Sequence, residues 1–316
     1  MKKYINLIVA LGLLFLAFLL LRHDQTQNDA SHACEVLLKT GAIYPFSENH
    51  VPIEWVGGLP FVQVSVNGSP GLPFVLATGM GVCIFDEELA RQLQISPVNA
   101  SLSDAGEKIL LGEIHSLRIG AADARNIPVL FNNLDWTLAH FGKFAAGFIG
   151  YGFWENFEAR FDFPDSTLTL TQADSIPWPL ENSDSQVVLP FDNFAEQPRH
   201  VFVKALVNEK EVSLEIDTMI RDGLYLAGTP DRYQPGVFFG DKNTAAPAAR
   251  EQTIQTGRVS RLNLGGMELT DIRTQFSCIV SPKENFSDAN VLGMGVLKHL
   301  KVTLNYKKQQ LMLENK

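Results

Sequence analysis

The sequence lacks most of the features that make a protein's chemistry easy to read. Only three of its 316 residues are cysteine: Cys34, Cys83 and Cys278. No two stand in a CxxC spacing, so a zinc or dithiol redox motif has no support, and at most one internal disulfide can form. Cys83 reads either as a buried apolar residue or as a partner of Cys34 or Cys278. The seven histidines are scattered without metal-ligand spacing, so neither a metal nor any other cofactor is expected. A G-x-S-x-G elbow, a phosphate-binding glycine loop and an H-E-x-x-H pair are all missing. Lys and Arg never cluster with aromatics and the formal charge is -9, which argues against a nucleic-acid partner. What is present is a globular composition, 46% apolar and 19% charged, in a chain long enough for about two domains.

One long apolar run opens the chain. Lys2 and Lys3 precede an uncharged stretch from Ile5 to Leu21, closed by Arg22 and His23. Its charge bias predicts that the remainder is exported, to the cell envelope or periplasmic side. The run is slightly long for a signal-peptide core and slightly short for an ordinary spanning helix. Ser31-His32-Ala33 lies far beyond Leu21 for a cleavage site, and "SHAC" lacks the apolar residue of a lipid-anchor signal. A retained anchor over 1–23, contacting the membrane, therefore fits somewhat better than a cleaved signal, and both stay open. Residues 24–47 read as a tether with a first edge strand.

The rest of the chain repeats itself. "FVQVSVNGSPGLPFVLATG" (61–79) aligns with "FVKALVNEKEVSLEIDTM" (202–219): alternating strands, a turn at Val-Asn, and a strand ending at a corner. "GEIHSLRIGAADARNIPVLF" (112–131) matches "GRVSRLNLGGMELTDIRTQF" (257–276) as strand, glycine turn and strand. "IGYGFWENFEARFDFPDSTLTL" (149–170) matches "LGMGVLKHLKVTLNYKKQQLML" (292–313) as glycine corner, short helix and hairpin. Three blocks in one order predict two homologous, mostly β lobes, 48–171 and 187–316, joined by a polar, proline-containing linker over 172–186. The segments 96–113 and 235–257 read as long irregular loops, either passive or lid-like.

An apolar-apolar-Asp-Thr-Gly corner followed later by an apolar-Gly corner resembles the aspartic peptidase family. Two such lobes are similar to the pepsin-like arrangement, and each lobe to the compact retropepsin-like unit of bacterial aspartyl-protease-like proteins. The resemblance spans about Val51 to Glu314. It implies an all-β fold with short helices, in which two homologous acid-protease-like β-barrel lobes form a bilobal cleft. It also implies one Asp per lobe in a shared dyad, a Thr bracing each loop, a Gly turning beside the dyad, and an apolar-Gly corner beneath. Carried onto this chain, those positions are Asp217, Thr218 and Met219 in one lobe, and Ala77, Thr78 and Gly79 in the other. The supporting corners are Ile149-Gly150 and Leu292-Gly293.

Two positions depart from that pattern. Ala77 stands where the first Asp is expected, and Met219 where the second Gly is. Asp86 opens "DEELARQL" and reads as a helix cap; Asp222, before Gly223, reads as a turn residue. Asp217 reads either as a buried fold remnant or as a ligand-binding group. The expected protein is a monomeric pseudopeptidase binding a peptide or protein in its cleft. The alternative is an active aspartic endopeptidase, with Ala77 an introduced change or with Asp217 used in trans between two chains.

Overall fold

The computed structural model describes residues 49–97, 99–102, 108–172, 178–179, 181–194, 197–233, 242–245, 252–279 and 290–315. The anchor over 1–23, the tether over 24–47 and Cys34 lie outside the described residues. Among the described residues, no helix is long and apolar enough to cross a membrane.

The first half runs β1 (Asn49–Pro52), β2 (Glu54–Val56), β3 (Leu59–Val66), β4 (Leu72–Leu76) and β5 (Cys83–Asp86). It continues with β6 (Asn99–Leu102), β7 (Lys108–Ile119), β8 (Ala122–Asn132), β9 (Gly147–Ile149), β10 (Phe157–Asp162) and β11 (Thr167–Gln172). The second half begins with β12 (Gln186–Pro190), β13 (Asp192–Phe194), β14 (Gln197–Val207), β15 (Lys210–Ile216) and β16 (Leu224–Ala227). Then follow β17 (Lys242–Ala245), β18 (Gln252–Leu264), β19 (Met267–Ile279), β20 (Asn290–Leu292), β21 (Leu300–Asn305) and β22 (Gln310–Asn315).

Apolar residues alternating along these strands place one face in a core, and the cores are closed barrels. Strands pair in the order β3-β4-β9-β5-β8-β7, and a further β3–β7 pairing closes the ring. The order β14-β15-β20-β16-β19-β18 repeats it, closed by β14–β18. Matching strands also pair in the same sense: β4 with β9 and β15 with β20 are both parallel. Asn67 and Asn208 turn the corresponding hairpins with left-handed φ of 51° and 45°, a conformation that asparagine tolerates better than most residues. The fold is thus all-β with short helices, built from two closed six-stranded barrels of matching strand order.

The third repeated block does something the repeat did not predict. Its two hairpins leave their barrels and join one six-stranded sheet, β1-β11-β10-β21-β22-β12. At its centre β10 pairs antiparallel with β21, from Glu158 opposite Asn305 to Asp162 opposite Lys301. Glu158 and Asn305 are fully buried there, and Asn305 Nδ2 donates to Glu158 Oε2 at 2.7 Å. Phe153, Trp154, Phe157 and Phe161 are completely buried in the core cluster that extends from the barrels to this sheet. Backbone pairing as well as packing therefore joins the halves.

The segments expected as irregular loops are partly paired. β6 pairs with β7 from Asn99–Leu111 to Leu102–Lys108, and β17 with β18 from Lys242–Gln255 to Ala245–Gln252. The long strands β7 and β18 offer backbone donors and acceptors at their free ends. A short neighbour such as Asn99–Leu102 or Lys242–Ala245 satisfies them without needing an apolar pattern of its own.

Candidate functional site

The two corners meet. β4 delivers Ala77 and β15 delivers Asp217, each held by the neighbouring parallel strand. The amide of Ala77 donates to Ile149 O at 3.0 Å, and that of Asp217 to Leu292 O at 3.1 Å. The glycines that follow have almost the same backbone: φ -107° and ψ -166° at Gly150, φ -109° and ψ -173° at Gly293. Any residue can adopt those angles, so what glycine supplies is space. A Cβ on Gly150 would stand 2.2 Å from Val82 O, and one on Gly293 would stand 2.4 Å from Asp222 O. The buried Cys83 reinforces the first corner, donating its thiol to Gly150 O at 3.7 Å and accepting from Gly150 N at 3.4 Å.

Thr78 and Thr218 then lock the corners to each other. The Thr78 hydroxyl donates to Ile216 O at 2.7 Å and accepts from Thr218 N at 3.2 Å. The Thr218 hydroxyl donates to Leu76 O at 2.6 Å and accepts from Thr78 N at 3.1 Å. Both threonines are buried. A hydroxyl is the one small group that can give and receive in the same direction, so each side chain closes two backbone groups of the opposite half.

Beyond the threonines the symmetry fails. Asp217 is buried, and its Oδ1 accepts from Met219 N at 2.7 Å. Its carboxyl carbon lies 2.4 Å from where a Cβ on Gly79 would stand. Gly79 has no positive φ, so this is again a requirement for room. The related contact on the other side is apolar. Ala77 is fully buried in a cluster with Val75, Val82 and Phe148, and Met219 packs against that same cluster. The junction thus brings together Ala77, Thr78 and Gly79 with Asp217, Thr218 and Met219, above Ile149-Gly150 and Leu292-Gly293.

The other two candidate carboxylates are engaged elsewhere. Asp86 caps the Glu87–Gln92 helix, its Oδ1 accepting from Leu89 N at 2.9 Å, while its Oδ2 accepts from Leu134 N at 3.0 Å. Asp222 shapes a bend, as expected, and does more. Its Oδ1 faces Arg273 Nε at 3.2 Å and its Oδ2 accepts from Gln275 Nε2. Burial raises the Asp222 pKa above the ordinary carboxylate value, and the Arg273 charge partly opposes this.

Sequence reasoning missed Arg221 and the Trp136–Phe141 helix. Arg221 follows the second corner and reaches across to the first half, where its Nη2 donates to His140 O at 3.1 Å. Its guanidinium also lies 5.6 Å from the centre of the Phe141 ring. Trp136 stacks on Phe148 at 6.1 Å and meets Phe141 edge-on, so the helix lies on the apolar cluster that contains Ala77. No repeat matched this helix, and a lone Arg carries no pattern.

No protein-family model matches the sequence, and no curated protein is similar to it. Among solved structures, a retropepsin-like aspartic protease from Rickettsia conorii is similar at 16% identity with a TM-score of 0.29. The match covers 41% of this chain and 90% of that one.

Two outcomes are expected of the junction. Thr78→Val leaves Ile216 O and Thr218 N unpaired in a buried site and should cost about 2–6 kcal/mol in urea unfolding, whereas Thr78→Ser should retain most of the stability. Asp222, with its folded pKa raised, contributes stability fully present below the unfolded value and lost as pH rises through the folded one. Asp222→Asn should remove that part of the decline in unfolding free energy from about pH 4 upward; an unaltered pH profile would contradict the assignment.

Proposed function

We propose that this chain is a non-hydrolytic protein of the aspartic-peptidase fold that holds an extended peptide, or a segment of a partner protein, in the groove between its lobes. The observation that carries the reading is the asymmetry of the junction: Gly79 leaves room for Asp217, while Ala77 lies in an apolar cluster against which Met219 packs. Water-mediated peptide hydrolysis in a two-carboxylate site depends on one group taking a proton while the other polarises the carbonyl. Asp217 alone can accept a hydrogen bond from a peptide N–H. Ala77 supplies no second carboxylate to hold the proton that must reach the leaving amine.

The binding half of the reading rests on what is kept. The threonine bonds and the Asp217–Met219 contact hold the two corners in one defined geometry. β6 and β17 are sheet edges, and an extended segment can pair with such an edge. We further propose that the protein works as a monomer on the exported side of a membrane, held by residues 1–23, as the charge bias of that segment suggests.

A second reading, an active endopeptidase disabled by a single change at position 77, is favoured by the intact threonine pairing. Met219 speaks against it, because one disabling change does not explain two departures.

Incubated with a broad peptide library at acidic pH, the native protein should retain a subset of peptides and cut none. Cleavage blocked by a statine-type transition-state mimic would overturn this. In a double-mutant cycle, Ala77→Asp forces a carboxylate against Met219, and Met219→Gly leaves a gap beside Ala77. The combined variant should be more stable than the sum of the two losses predicts, with a coupling of about 1 kcal/mol or more. Peptide cleavage, if it returns, should return only in that combined variant.

A further inference from the structure

The groove-binding reading leaves the ligand's chemistry open, and Arg221 narrows it. This guanidinium stands two residues beyond Met219 and leans onto the opposite lobe, yet among the described residues no carboxylate pairs with it. Its neighbours differ: Arg258 is held by Asp271 and Arg273 by Asp222. Among the described residues Arg221 hydrogen-bonds to His140 O, lies over the Phe141 ring and stands beside Gly57. A guanidinium carries five N–H donors in a fixed fork that matches a carboxylate. The residue is exposed overall, with one guanidinium nitrogen turned to His140 O beside Gly57. Packing against the other lobe removes enough water to lower its pKa from the ordinary arginine value.

Arg221 also borders a cavity of about 480 Å³. Its wall carries the cations Arg221, Arg258, Arg273 and Lys298 against the carboxylates Asp222 and Asp271. Lys298, like Arg221, has no carboxylate partner among the described residues. That cavity is walled by the second lobe alone, and its local excess of positive charge on a chain of net charge -9 favours an acidic ligand beside Arg221.

We propose that Arg221 reads a carboxylate, so that the groove's ligand is a peptide segment bearing an acidic side chain or a free C-terminus. This rests on the groove-binding reading. A bidentate carboxylate pairs with the donors that the His140 carbonyl leaves over, while the Phe141 ring holds the guanidinium plane.

The test uses the full chain and three immobilised extended-peptide series of equal apolar content. One has Asp and Glu with free C-termini, the second has Asp and Glu with amidated C-termini, and the third has Asn and Gln with amidated C-termini. The native protein should prefer a carboxylate-bearing series over the third by about tenfold or more. Preference for the first series but not the second assigns a C-terminal carboxylate; preference for both assigns a side chain. Arg221→Met should collapse the preference to within about twofold, and Arg221→Lys should keep part of it. Equal capture of all three series by the native protein, or a preference that survives Arg221→Met, overturns the carboxylate assignment alone. A parallel loss across the series with the preference intact makes Arg221 a clamp between lobes and overturns it too. If no series is captured by the native protein, the groove-binding reading falls and takes this one with it.

Discussion

Everything at the junction depends on four hydrogen bonds between Thr78 and Thr218 and the backbone of the opposite corner. Ile216 O and Leu76 O end the strands that deliver Asp217 and Ala77, and both would otherwise face a dry interface without donors. An unpaired buried backbone group costs about as much as a lost hydrogen bond and often more. Neither corner can satisfy its own chain end; each needs the hydroxyl of the other. The bracing is therefore a folding requirement of the pair, independent of any reaction between them. That explains why Thr78 and Gly79 persist beside an alanine. The threonine still closes two backbone groups, and the glycine still makes room for Asp217.

The wider architecture serves the same constraint. A reciprocal contact tolerates little displacement, and the β10–β21 pairing fixes the lobes by backbone hydrogen bonds at a distance from the corners. Close to the junction, Gly150 and Gly293 let the supporting strands approach to where any Cβ would collide with a carbonyl. The Cys83 thiol fills the remaining gap behind Gly150 with a weak bond in each direction.

Much of this could be read from the sequence because duplication supplies an internal comparison. "VLATG" set against "LEIDTM" marks the corners, the threonines and both departures, and the strand-turn blocks locate the barrels. Three features could not be read that way. The sheet shared by the third block is a pairing between copies, while an internal repeat reports only what is common to each copy. The hairpins β6–β7 and β17–β18 are held by backbone groups, so the short strands Asn99–Leu102 and Lys242–Ala245 carry no apolar period that marks them in the sequence. Arg221 belongs to neither class: its counterpart is Gly81, and its role depends on a helix, Trp136–Phe141, for which no repeat was found. Met219 has one sense in its motif and another in space. Judged by its local motif it is an intruder beside Asp217, but in space it completes the apolar surface around Ala77.

That last contact bears on how such a junction could have arisen under the proposed function. A glycine at position 219 facing an aspartate at position 77 would leave no room for a longer side chain, as the Gly79–Asp217 approach indicates by the symmetry of the lobes. Introducing Met219 first would drive its side chain against a buried carboxylate, costing both packing and hydrogen bonds. Introducing Ala77 first only opens a small void, a milder loss, which methionine can then fill because its unbranched chain adapts to irregular gaps. The favourable order is therefore alanine before methionine. Once both are in place, restoring the carboxylate alone meets the steric cost that the first step avoided, which makes the pair harder to reverse than either change by itself.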